Sequence, residues 1–189
     1  LAKGADEVNV DYVRFPSDGN LQDMVFPVWQ EETLKREAIQ QWFAYLRAEL
    51  PEAALSVDLF GLTAVNTWSD MGVGQVLEDA FLYFDFICPM VYPSHFATGY
   101  LGYEVPEAYP YEVISVSLGR AQERLEEFRK TQETTAALRP WLQYFDLKRS
   151  PIDYTPELIR KEVQGTRDAL GEEYKGFLFW NPENIYQAD

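Results

Sequence analysis

The 189-residue chain has little of what several common chemistries need. It holds one cysteine, Cys88, which excludes an internal disulfide framework and any multi-cysteine zinc site. It holds one histidine, His95, which leaves little for a histidine-rich metal centre or a His-based triad. No apolar run approaches the roughly 20 residues of a membrane span. Basic residues number 16 against 31 acidic ones, a net charge of -15, which repels phosphate backbones and argues against nucleic acid as a partner. No Gly-rich phosphate loop follows the first strand-like run, no Ser-centred nucleophile elbow is present, and no cofactor motif stands out. No cofactor and no metal are therefore expected. The opening Leu1-Ala-Lys-Gly-Ala-Asp6 carries no signal-like segment and leads almost at once into a strand, as expected of a piece of a longer chain.

What is present is an ordinary globular composition, 47% hydrophobic, with 15% aromatic residues. The length suggests one domain, 1–189. Five short apolar runs read as strands: Glu7 to Val13, Ala54 to Phe60, Phe86 to Tyr92, Pro140 to Phe145 and Gly176 to Trp180. Helical spacing lies between them. From Glu31, the residues Leu34, Ala38, Ile39, Trp42, Phe43, Leu46 and Leu50 recur at steps of three and four until Pro51. A second helix is expected from about Gly74 to Tyr83. A third starts near Pro110, where Ile114, Leu118, Ala121, Leu125 and Phe128 keep one helical period despite a β-prone opening. A fourth has Thr155 at its N-cap, Pro156 at N1 and Gly171 at its end, with Leu158, Ile159, Val163 and Leu170 apolar.

Strands alternating with helices indicate an α/β protein with a parallel sheet, either doubly wound or part of a (β/α)8 barrel. The longest connections, 14–30, 61–73 and 93–109, follow strands. In a barrel these carry the active site. Strand alternation places Asn9 and Asp11 opposite Val8 and Val10, and Ser56 and Asp58 opposite Leu55, Val57 and Leu59. Asp11 and Asp58 thus sit at the last inward positions before long loops. Neighbouring strands lie about 4.8 Å apart, so the two carboxylates are expected roughly 5 Å apart, the spacing of a retaining glycosidase pair. The plainer alternatives are an Asp11–Arg14 ion pair and a loop-capping Asp58.

The run Glu7-Val-Asn-Val-Asp-Tyr-Val-Arg-Phe-Pro16 resembles the signature strand of a glycoside hydrolase family that began as a domain of unknown function. Val57-Asp-Leu-Phe-Gly-Leu-Thr63, Asp70-Met-Gly-Val-Gly-Gln75, Cys88-Pro-Met-Val-Tyr-Pro-Ser-His95, Pro110-Tyr-Glu-Val-Ile114, Pro140-Trp-Leu-Gln-Tyr-Phe145 and Phe179-Trp-Asn-Pro182 continue the resemblance in order. It implies a TIM-barrel glycosidase in which this chain supplies strands four to eight. The missing N-terminal barrel half, a partner chain or a rearranged closure is then expected to cover the exposed sheet edges. It further implies a carbohydrate substrate, an extracytoplasmic or secreted location, and Asp11 as nucleophile or charge stabiliser with Asp58 as acid/base, or the two roles reversed.

Arg14, Trp68, Asp70, Tyr92, His95, Gln143 and Trp180 are the expected substrate-binding residues: Arg14 beside Asp11, Tyr92 and His95 after the third strand, Gln143 pointing inward, and Trp180 as the floor of a sugar subsite. Asp146 is an alternative carboxylate. Cys88 reads as a buried small hydrophobe. Two other functions remain open, a non-catalytic carbohydrate-binding barrel and a barrel lyase or aldolase. The latter would need a strand-end lysine or metal cluster, and neither is present.

Overall fold

A computed structural model describes residues 4–27, 29 and 33–186. Its strands are β1 (Glu7–Val10), β2 (Ala54–Phe60), β3 (Phe86–Met90), β4 (Ala137–Leu138), β5 (Trp141–Gln143) and β6 (Leu178–Trp180). Its α-helices are α1 (Lys35–Glu49), α2 (Leu77–Ala80), α3 (Pro110–Arg129) and α4 (Pro156–Leu170). All strand pairs are parallel, in the order β1-β2-β3-β5-β6, with β4 pairing β3 just ahead of β5. The sheet does not close. Among the described residues β1 and β6 each pair on one side only. The architecture is thus an α/β, parallel, barrel-like sheet left open at two edges.

One face of the sheet makes the core. Leu55, Val57 and Leu59 of β2, Ile87 of β3 and Leu142 of β5 are fully buried against Phe43 of α1, Leu77 of α2 and Ile114, Leu118 and Leu125 of α3. Each such side chain contributes about 1.5–3 kcal/mol of apolar burial. The β-prone segment Tyr111–Leu118 is helical, as its period requires, because Ile114, Leu118, Ala121 and Leu125 all meet the sheet. α4 ends at Gly171 as expected, although Thr155 makes no side-chain capping bond.

Several elements are shorter than the sequence pattern predicts, among them β3, which ends at Met90 rather than Tyr92, and β6, which begins at Leu178 rather than Gly176. β1 stops at Val10 rather than Val13, because Tyr12 takes a left-handed φ of 59° and turns the chain away. The second helix begins at Leu77 rather than Gly74, because Gly74 sits at φ 83°, outside helical space; a Cβ there would lie 2.8 Å from the Lys35 carbonyl. The fourth expected strand, Pro140 to Phe145, is realised only as β5, and a strand the pattern did not give, β4, precedes it across Pro140, which has no N–H to donate to a ladder. α1 starts at Lys35; the expected start at Glu31 lies outside the described residues.

The loops after β1 and β2 are tied together by Gln75, which is 2% exposed. Its Nε2 donates to the Val13 carbonyl at 3.1 Å and its Oε1 accepts the Phe60 N–H at 2.9 Å. Phe15 N–H also donates to the Val73 carbonyl at 2.9 Å. At Gly61, a Cβ would lie 2.3 Å from the Met90 carbonyl oxygen, so only glycine lets the end of β2 lie against the end of β3. These contacts hold the C-terminal strand ends, where the candidate site lies, in one arrangement.

Candidate active site

Strand register sets the composition of the second, concave face. Asn9 pairs with Ser56, Asp58 with Cys88, Met90 with Trp141, and Gln143 with Trp180. Glu7, Asn9, Asp11, Ser56, Asp58, Phe86, Cys88, Arg139, Trp141, Gln143 and Trp180 therefore face away from the helices. The side-chain contacts agree with that face, since Asn9 and Trp141 both meet Asp58.

Asp58 is the centre of this face. It is 4% exposed. Its Oδ1 accepts a hydrogen bond from Asn9 Nδ2 at 3.0 Å and another from Trp141 Nε1 at 2.8 Å. Burial pushes its pKa above the ordinary carboxylate value, the two hydrogen bonds oppose the rise, and the negative charge of Asp11 adds to it. Beneath it Arg139 pairs with Glu7, and its guanidinium lies 4.0 Å from the centre of the Phe86 ring. The positive Arg139 offsets part of the upward shift at Asp58.

Asp11 and Asp58 are the residues that follow the paired Val10 and Val57. Asp11 is exposed, where β1 has already left the sheet, and its Oδ1 accepts its neighbour's N–H, that of Tyr12, at 2.6 Å. Arg14 does not form an ion pair with it. Its guanidinium instead lies 4.2 Å from the centre of the Tyr12 ring and 4.7 Å from that of Phe60, and it donates to the Phe15 carbonyl at 3.3 Å. Cation–π stacking at the mouth of the cleft takes the place of the alternative Asp11–Arg14 ion pair.

Trp180 is 42% exposed and meets Trp141 edge-on with ring centres 6.1 Å apart. Together they form an aromatic corner beside Asp58. Tyr92 is nearly buried against His95 and Phe145. Burial raises its phenol pKa, and the charges of Asp58 and Asp11 raise it further, which places Tyr92 in the same electrostatic neighbourhood. The His95 Nδ1 lies 3.0 Å from the Ser94 hydroxyl. Packing on Tyr92 and Phe145, aided by the Arg149 charge, holds its pKa below the usual value.

Gln143 faces inward as the alternation predicts, but protein groups engage its amide. It donates to Glu107 at 2.9 Å and to the Phe145 carbonyl at 3.0 Å, and it accepts the Ser94 N–H at 3.1 Å. Trp68 and Asp70 line a neighbouring groove of about 530 Å³ with Trp29, Lys35 and Asn66. Neither Asp11 nor Asp58 contributes to that groove's walls. Trp68 is 81% exposed, and Asp70 accepts the Gly72 N–H at 2.9 Å. Asp146 accepts the Tyr154 N–H at 2.6 Å and serves the loop after β5. Cys88 is fully buried, and burial pushes its thiol up to about 12. Among the described residues no group of three or more His, Cys, Asp or Glu side chains is arranged to hold a metal ion.

Two features escaped the sequence reading. Asn9 is, with Trp141, a direct partner of the central carboxylate Asp58; its place two residues before Asp11 on the inward face was the available signal. The second is a buried carboxylate pair behind β5. Glu162 accepts hydrogen bonds from the Tyr154 hydroxyl and, at 2.9 Å, from the Gln143 N–H. Glu107 accepts from Gln143 and from the Ser150 hydroxyl. Burial, with the Glu107 charge, pushes Glu162 up to about 8. Its signal was a charged residue at the helical step between Ile159 and Thr166, on the apolar stripe of α4.

A family model described as "Putative glycosyl hydrolase domain" matches residues 1–186. No curated protein matches the sequence. Among solved structures, the PgaB (BpsB) glycoside hydrolase domain from Bordetella bronchiseptica superposes with a TM-score of 0.51 at 18% sequence identity, over 78% of this chain. The match covers 37% of that chain's length. At this identity the likeness is one of fold. It agrees with the curled parallel sheet as part of a TIM-type barrel.

Proposed function

Because this chain belongs to the glycosyl hydrolase domain family whose model spans residues 1–186, we propose that its concave face hydrolyses a glycosidic bond in an oligo- or polysaccharide. The observation that carries this reading is Asp58, a carboxyl buried to 4% exposure at the end of β2, with its pKa raised, beside Asp11 and the Trp141–Trp180 corner. A general acid must hold its proton near neutral pH, and burial next to a second carboxylate favours that state.

In the proposed reaction Asp58 gives its proton to the glycosidic oxygen as the bond to the anomeric carbon breaks. Asp11 stabilises the developing oxocarbenium charge or forms a glycosyl ester. Water then adds at the anomeric carbon and returns its proton to Asp58. Trp180 offers an indole face to a sugar ring. Arg14, Tyr92 and His95 line the approach from the loops after β1 and β3. Trp68 and Asp70 serve a more distant part of a long substrate. The Gln143 amide, engaged by Glu107, Phe145 and Ser94, acts on the site by holding these loops.

In this reading residues 1–189 form one barrel-type domain that contributes strands four to eight. The unpaired edges of β1 and β6 receive strands from elsewhere in a longer polypeptide or from a partner chain. The reaction takes place outside the cytoplasm. Among the described residues no helix is long and apolar enough to cross a membrane.

The test is hydrolysis of a panel of oligosaccharides by the wild-type chain, Asp58→Asn and Asp11→Asn, with and without the strands that complete the barrel. Rates should fall at least ~100-fold in each variant, the scale of a lost acid–base group. Glycan binding that survives both changes, with no cleavage by any form, would instead establish the non-catalytic binding barrel.

A further inference from the structure

We propose that Asn9 and Trp141 are positioning residues that converge on Oδ1 of Asp58 and so confine its transferable proton to Oδ2. The proposal deepens the acid role assigned above to Asp58 and rests on that reading for its catalytic meaning. Two N–H groups point at one oxygen: Asn9 Nδ2 at 3.0 Å and Trp141 Nε1 at 2.8 Å. Neither donor can accept a proton in return; an indole N–H is donor only, and an amide NH2 likewise. A proton on Oδ1 would set O–H against N–H at a carboxyl that is only 4% exposed. The neutral acid therefore presents its carbonyl-like oxygen to the two donors and its hydroxyl on the other side.

The direction of the Asn9 amide is set independently. Its Nδ2 also donates to Ser56 Oγ at 2.8 Å. On the same face burial works to raise the pKa of Glu7, but Arg139 and Ser56 keep it below the usual glutamate value. Arg139 pairs with that same carboxylate. Asn9 Nδ2 thus donates to both Ser56 and Asp58, beside the Arg139–Glu7 ion pair. Flipping the Asn9 amide would point its carbonyl at the Asp58 carboxylate. Trp141 is held from the other side by the edge-on Trp180 ring. The charged or titratable groups facing Asp58 are Asp11 and Glu7 from the β1 segment, Cys88 from β3, Tyr92 beyond β3, and Arg139 after β4. None of them donates to its Oδ2 in this arrangement.

Carbon-13 carboxyl NMR titration of this chain, with the Asp58 resonance identified by its loss in Asp58→Asn, tests the proposal without any substrate. Asn9→Ala and Trp141→Phe each remove one donor that favours the ionised form. Each should raise the Asp58 pKa by about one unit or more. Asp58→Asn places a carbonyl where Oδ1 was and an NH2 where Oδ2 was, so its unfolding midpoint at pH 7 should equal or exceed that of the wild type. An Asp58 pKa that stays within ~0.3 unit of wild type in Trp141→Phe, or a clearly lowered midpoint for Asp58→Asn, would overturn the proton placement. Shifted titrations in a protein that never cleaves sugar would uphold the placement and sink only the hydrolytic reading.

Discussion

Glu162→Gln should flatten the dependence of stability on pH. Glu162 is fully buried on α4, with the Tyr154 hydroxyl and the Gln143 N–H as its donors and Glu107 close by. Burial first, then the Glu107 charge, pushes its pKa from 4.5 to about 8. The folded state therefore holds a proton that the unfolded chain releases above pH 4.5. With the folded pKa raised, the favourable contribution is fully present below pH 4.5, declines with rising pH and is lost once pH passes about 8. A gap of about 3.5 units at 1.36 kcal/mol per unit corresponds to ~5 kcal/mol over that window. Glutamine imitates the protonated acid: its oxygen accepts the Gln143 N–H, and its nitrogen donates to the Tyr154 oxygen once that hydroxyl hydrogen turns away. Urea unfolding followed by tryptophan fluorescence from pH 5 to pH 9 reads the difference. The variant should match the wild type within ~1 kcal/mol near pH 5 and exceed it by several kcal/mol at pH 9. Parallel stability profiles across that range would refute the assignment of a buried, proton-holding Glu162.

Two further outcomes follow from the packing. Cys88 is fully buried with its thiol pushed up to about 12, so a disulfide reagent at pH 8 should leave it unlabelled in the folded chain and label it fully in urea. Gly61→Ala should cost at least ~2 kcal/mol in unfolding free energy, because its Cβ would meet the Met90 carbonyl at 2.3 Å and part β2 from β3 beside Asp58; a variant as stable as wild type would show that this approach relaxes freely.

Much of the fold was legible because periodicity survives without tertiary context. The helix step of Ile114, Leu118, Ala121 and Leu125 and the alternation Leu55, Val57, Leu59 each state which face is buried. Boundaries were less legible. They depend on single backbone choices such as the φ of Tyr12 and Gly74 and the missing N–H of Pro140, which act only when a neighbouring strand or loop is in place. Asp58 was identifiable as an inward strand-end carboxylate. The alternative of an Asp11–Arg14 ion pair was not realised, because the aromatic rings of Tyr12 and Phe60 lie close enough to take the guanidinium.

The amino-acid order alone determined the parallel α/β pattern, the concave polar face and the family, since each is carried by local spacing or by contiguous motifs. Tertiary structure decided which groups share protons. Asn9 lies 49 residues from Asp58, and Trp141 lies 83 residues from it. Gln143 meets Glu107 and Glu162 only because β5, α4 and the loop after β3 converge on one buried point. Hydrogen bonds act over about 3 Å, and no sequence spacing encodes which distant donors arrive within that range.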